Sequence, residues 1–185
     1  MRYISAVLYT ALVLGANAAH ADIAAAEAAR EGMMKKLIFS DPKAVSSKTF
    51  TDPSGGEFTL ADFEGKHVLV NFWATWCAPC RKEMPMLSDI QTDFGGDSFE
   101  VVTIATGRNP QPAIDRFFEE IGVENLPKYL DPRSALARDM AVLGLPITLI
   151  LDPDGNEIAR MRGEAEWNGE SAYAVLEALL PEADG

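Results

Sequence analysis

Cys77 and Cys80 are the only cysteines of the 185-residue chain, and they stand three positions apart. On a helix, residues at i and i+3 share a face. One turn also brings their Cα atoms within the roughly 4.4–6.8 Å that a disulfide requires. A bridge closing so short a loop restricts the unfolded chain little, so a redox role is better motivated than a stabilising one. The competing chemistry is half a zinc site, but zinc wants four ligands. Beyond the cysteines and His20 near the N-terminus, the chain offers only His67 as a nitrogen ligand, and it begins the strand that leads to the pair, well away from the helix start. No metal and no cofactor is expected.

The elements around the pair decide its reactivity. His67-Val-Leu-Val-Asn-Phe-Trp73 is a continuous run of the kind that suits a strand buried on both faces. From Cys77 to about Phe94 the pattern turns helical, with Met84, Leu87 and Ile90 at helical spacing. Cys77 therefore opens a helix, where unpaired backbone N–H groups favour a thiolate and depress its pKa. Cys80, one turn further in, is placed to attack a mixed disulfide formed by Cys77. Pro79 lacks an N–H and presets a helical φ, which fits the first turn. Pro85 sits deeper and is expected to kink the helix. Glu83 is i+3 from Cys80 and shares its face. Two readings of Glu83 stand: an acid–base group serving the cysteines, or a solvated glutamate favoured by the helix dipole.

Elsewhere, Thr49–Thr51 and Gly56–Leu60 read as short strands around the turn Asp52-Pro-Ser-Gly55. Strands are expected at Phe99–Ala105, Ile147–Leu151 and Glu157–Arg162. Helices are expected at Ala113–Ile121, Ser134–Leu143 and, capped by Ser171, through Leu180. This order implies an α/β domain: a mixed sheet with helices on both faces. Trp167 and Met161 read as late core or surface contacts. Residues 22–45 are expected to form a helical N-terminal extension, with Asp22 as N-cap and Lys35 and Lys36 at the far end of the helix. Its Met33, Leu37 and Ile38 either dock on a core or belong to a tether.

Residues 1–21 combine Arg2, an apolar core and the exit Ala19-His-Ala21, the pattern of a secretory signal peptide; the alternative is an uncleaved membrane anchor. Either way the body of the chain leaves the cytoplasm. The expected compartment is the periplasm, soluble after cleavage or anchored to the inner membrane facing it. The formal net charge of −12 disfavours nucleic acid and anionic membrane surfaces as partners.

The stretch Val70-Asn-Phe-Trp-Ala-Thr-Trp-Cys-Ala-Pro-Cys-Arg81, followed by Pro85, resembles the active-site segment of the thioredoxin superfamily. Leu145-Pro146 with Thr148 resembles its cis-proline loop, and Asp152-Pro-Asp-Gly155 the turn after the next strand. Gly56–Lys66 and Cys80-Arg-Lys-Glu83 are most similar to exported TlpA/ResA-type thiol–disulfide reductases. The resemblance covers roughly Ser46–Leu180. It implies a thioredoxin-like fold over 46–185, with a mixed central sheet flanked by helices and an N-terminal β-hairpin. It implies catalysis by Cys77, Cys80 and Glu83. Trp76 and Pro79 would lie at the substrate surface, and Leu145, before a cis Pro146, would offer its backbone to an extended client segment. Cytoplasmic thioredoxins have a buried aspartate where this chain has Asn71; Asn cannot titrate, and Glu83 is the candidate replacement. The implied activity is reduction of disulfides in client proteins, in cytochrome c or copper-oxidase assembly, by a monomer recharged by a membrane electron donor. Three alternatives are weaker. A disulfide oxidant differs only in potential. A copper-handling module would want a distant histidine, and none is well placed. A peroxidase wants a lone activated cysteine.

Overall fold

The computed structural model describes residues 22–180. Residues 1–21, expected to be a signal peptide or a membrane anchor, and the last residues of the expected domain lie outside the described residues. An eight-stranded mixed sheet runs through the molecule in the order β1-β8-β7-β4-β5-β6-β2-β3. Its strands are β1 (Ile38–Ala44), β2 (Phe50–Thr51), β3 (Glu57–Phe58), β4 (His67–Trp73), β5 (Phe99–Thr106), β6 (Tyr129–Asp131), β7 (Ile147–Leu151) and β8 (Asn156–Arg162). The helices are α1 (Ile23–Ala28), α2 (Ala78–Phe94), α3 (Gln111–Ile121), α4 (Ala135–Asp139) and α5 (Glu170–Leu179), with 3-10 turns at Gly32–Lys36 and Leu60–Phe63. Among the described residues no helix is long and apolar enough to cross a membrane.

β4 is central, parallel to β5 on one side and antiparallel to β7 on the other. All seven of its residues are buried, as its unbroken run requires. The pleat sends alternate side chains to opposite faces. Leu69 and Trp73 join Val101 and Ala105 of β5 in the core that includes residues of α2, α3 and α5, whereas Val68, Val70 and Phe72 join the core that includes Leu60, Phe63 and α4's Leu136. Asn71 falls between Leu69 and Trp73, on the α2 face. The hairpin β2–β3 pairs with β6 at the far edge, so the expected mixed sheet and hairpin are both present.

The N-terminal extension differs from expectation. It is helical only at α1 and one 3-10 turn, and Ile38–Ala44 is an edge strand paired with β8. Asp41-Pro42, a pair whose residue types favour a turn, lies where the β1–β8 register shifts between Phe39 and Lys43. A proline is tolerated on an edge, where its missing N–H costs no ladder bond. The extension docks rather than tethers: Leu37 and Met34 are buried, while Ile38 is 53% exposed and Met33 half-buried. The Asp22 N–H donates to Ala178 O at 3.0 Å. The Ser171 hydroxyl, expected to cap α5, instead accepts from Glu31 N–H at 2.8 Å and donates to Ala29 O at 2.9 Å; Gly169 occupies the N-cap. The helix expected to Leu143 ends as α4 at Asp139, two residues before Ala141 takes a positive φ of 53°. β6 was not expected; it is three residues long and follows Pro127 closely. Trp167 and Met161 are core residues, each 0% exposed.

Candidate active site

The β4–α2 junction places the two cysteines. The β4 ladder ends at Trp73, and α2 begins at Ala78 with Cys77 as its N-cap. Cys77 and Cys80 form a disulfide with Cα atoms 5.2 Å apart, and the Cys80 N–H points at Cys77 Sγ at 3.3 Å. That contact is one of the open amides at the head of a 17-residue helix turned onto the outer sulfur. Pro79 sits in the first turn, where its lack of an N–H is harmless. Pro85 lies inside α2 and removes the bond its N–H would have made one turn back. Cys80 is fully buried and Cys77 nearly so.

The two tryptophans flanking the site divide as their settings dictate. Trp73 is buried against Phe117 and Phe118, with ring centroids 4.6 and 5.5 Å away. Trp76, in the turn before Cys77, is 68% exposed. The peptide bond Leu145–Pro146 is cis. Because Phe72 pairs with Ile147, the preceding residues Leu145 and Pro146 stand at the same end of the sheet as the residues that lead from β4 into Cys77. Arg81 lies over the Phe117 ring at 4.5 Å and pairs with Glu120 at 2.9 Å, which ties the first turn of α2 to α3.

Glu83 is buried, at 1% exposure, which removes the solvated reading. Its Oε1 accepts from Asn71 Nδ2 at 2.8 Å, and Oε2 accepts from Ala165 N–H at a long 3.4 Å. Asn71 Nδ2 also donates to Thr148 Oγ1 at 2.9 Å, its register partner on β7. Burial raises the Glu83 carboxyl to about 7, against the pull of the Asn71 and Ala165 donors and the nearby Trp167 indole. The indole N–H makes no hydrogen bond of standard geometry. Glu83 also lines a cleft of about 180 Å³ with Met33, Lys82, Met86 and residues Glu164 to Glu166. A carboxyl poised near neutrality one turn from a buried thiol can give or take a proton at working pH. Glu83, the candidate replacement for the missing aspartate, is hydrogen-bonded to Asn71 itself, a contact the sequence did not predict. Thr148, Ala165 and Trp167 complete the pocket without having been singled out for it; the one available signal was Thr148, two residues after Pro146.

The AhpC/TSA family model matches residues 42–159. The thiol-disulfide oxidoreductase ResA of Bacillus thuringiensis subsp. konkukian is 31% identical over 114 residues, 62% of this chain and 65% of that protein; the chain thus spans just under two thirds of that relative's length. A ResA of Bacillus cereus is 32% identical over 139 residues, 71% of this chain and 73% of that protein. Among solved structures, a thiol:disulfide interchange protein of the thioredoxin family from Chlorobium tepidum TLS matches with a TM-score of 0.62 and 26% identity, covering 77% of this chain and 99% of that one. The chain belongs to the AhpC/TSA family and has the thioredoxin-like fold.

Proposed function

We propose that this protein is an exported thiol–disulfide oxidoreductase that reduces disulfides in client proteins. The observation that carries the reading is the Cys77–Cys80 bridge at the head of α2, with the Cys80 amide directed at Cys77 Sγ. In the reduced protein the Cys77 thiolate attacks a client disulfide. One client sulfur bonds to Cys77, and the other leaves as a thiolate and takes a proton. Glu83 accepts the proton of Cys80, whose sulfur then attacks Cys77 and expels the second client thiolate. Two electrons pass to the client, and the enzyme is left oxidised. A membrane electron donor of the exported compartment would restore the dithiol. Trp76 and the Leu145 backbone form the docking surface, with Pro79 and Pro146 shaping it. The resemblance to ResA-type proteins favours clients of cytochrome c or copper-oxidase assembly. Export is supported by the leader pattern of residues 1–21.

The test is partner capture. Cys80→Ser should accumulate mixed disulfides with clients, and Cys77→Ser should not; equal trapping by both would overturn the assigned order. Direction is read by titration against glutathione. A potential close to the roughly −120 mV of dedicated oxidants, rather than the roughly −270 mV of thioredoxin, would make the protein an oxidant.

A further inference from the structure

The turn that carries Trp76 and Cys77 is held from outside the motif. Asn109, three residues past the end of β5, is only 5% exposed. Its Oδ1 accepts twice from Thr75, from the backbone N–H at 2.8 Å and from the hydroxyl at 3.0 Å. Its Nδ2 donates to Thr106 O at 2.9 Å and Gly107 O at 3.4 Å. An asparagine amide has two donor hydrogens and two acceptor lone pairs, and all four are used. The pattern also fixes the amide's orientation, since a flip would set Nδ2 against the Thr75 N–H. The other end of the clamp is firm. Thr106 is the last residue of β5 and pairs with Asp131 of β6, and the Gly107 N–H donates to Asp131 O at 2.9 Å.

Residues 74 to 76 belong to neither neighbouring element, because the β4 ladder stops at Trp73 and α2 starts at Ala78. Their backbone is closed by the Cys77 N–H on Ala74 O at 3.1 Å, and Asn109 supplies the tie to the sheet. We propose that Asn109 is a positioning residue for the Cys77 sulfur: by clamping Thr75 to the end of β5 it holds Sγ over the open amides of α2 and holds Trp76 at the surface. This rests on the reading of Cys77 as the attacking thiolate. The clamp matters most in the dithiol state, where no S–S bond keeps the outer sulfur beside the helix head. The field of a helix end fades within about one turn, and a misplacement of about 1 Å in a reacting group can cost up to about a hundredfold in rate. Loosening the turn therefore destabilises the thiolate relative to the thiol. It raises the Cys77 pKa, slows attack and makes the disulfide harder to reduce.

The measurement is the alkylation rate of Cys77 by iodoacetamide against pH, on the reduced full chain in a Cys80→Ser background, with circular dichroism and thermal melting as the check of fold. Asn109→Ala should move the midpoint up by about one pH unit and slow alkylation at pH 6 about tenfold. Two variants at the other end of the clamp cover the case in which Asn109→Ala does not fold. Thr75→Val, which keeps the backbone bond and loses the hydroxyl bond, should shift the midpoint the same way by less. Thr75→Ser, which keeps both, should match the parent. A residue serving the fold alone would lower the melting temperature and leave the midpoint in place; a folded Asn109→Ala or a Thr75→Val with the parent's midpoint overturns the proposal. If the parent itself shows the ordinary thiol midpoint near about 8.5 and exchanges no disulfides, the functional reading falls together with this one. A parent with a depressed midpoint and active exchange, unmoved by the variants, sinks the Asn109 assignment alone.

Discussion

The two sides of the cysteine pair handle charge in opposite ways. On the Cys77 side, the thiolate of the proposed mechanism would meet backbone amides of a 17-residue helix, fixed dipoles that exist because the helix exists and that do not titrate. On the Cys80 side, charge is handled by a side chain: Glu83, buried against Asn71 and Ala165, with a carboxyl pushed to about 7. Stabilising an anion with peptide dipoles costs the fold little. Keeping a carboxyl in the interior costs stability whenever it ionises, because its three neighbouring donors do not replace water. In the proposed mechanism the outer sulfur would attack at all pH values at which it is ionised, whereas the inner one would be served by a group whose state changes near neutrality.

The sharpest way to break this contrast is Glu83→Gln. Glutamine keeps an acceptor for Asn71 but turns an amide NH2 toward the Ala165 N–H. Exchange at neutral pH should slow by about 10²–10³-fold, and the ionisation near 7 should vanish from the pH–rate profile, while single-turnover attack by Cys77 is largely kept. An unchanged profile would remove Glu83 from the mechanism. The same substitution has a thermodynamic signature. The folded carboxyl titrates at about 7 and an unfolded glutamate at 4.5. Between these pH values the folded chain holds a proton that the unfolded chain has lost, so stability falls as pH rises, by about 3 kcal/mol in all. Urea melts at pH 4.5 and pH 8 should show a fall in the parent, smaller than this by the opposing contribution of the buried His67, and no fall in Glu83→Gln.

How much of this was legible in the sequence follows from how local each feature is. β4, α2 and β7 could be read because unbroken apolar runs and helical spacing are local patterns, and the cysteine spacing carried the disulfide. The fact that Glu83 and Cys80 share a face was also local. The burial of Glu83 was not, since it is made by Ala165 and Trp167, some eighty residues on. β1 was missed because Asp41-Pro42 reads as a break until β8 is beside it. Asn109 carried no signal at all: one asparagine in a loop is ordinary, and its meaning arises only when the end of β5 comes to lie against Thr75.

A smaller effect is expected at the surface. Trp76→Ala should lower kcat/KM for a protein client about tenfold, because a large exposed indole is the type of anchor that dominates docking. Reduction of a small aromatic disulfide, which needs no docking surface, should change little, and stability should stay within about 0.5 kcal/mol. An equal loss on both substrates would assign Trp76 to the chemistry of the sulfurs instead of to the client.

The smallest effect lies at the opposite end of β4. His67 is 3% exposed, and neither ring nitrogen has a hydrogen-bond partner. Burial lowers its pKa from 6.5 despite the opposing pull of Asp152. The neutral ring is the folded form, so its contribution is complete above pH 6.5 and is lost as pH falls below that value, when the unfolded histidine gains a proton that the folded one refuses. This slope is opposite in sign to that of Glu83 over the same mildly acidic range, and in the parent the two partly cancel. His67→Phe, which fills similar space without a titrating group, should expose the full Glu83 slope, and Glu83→Gln should expose the weaker, rising slope of His67. Melting curves of the two variants at pH 5.0 and 6.5 should therefore move in opposite directions with pH. Parallel slopes would mean that one of these two buried groups does not titrate as its surroundings require.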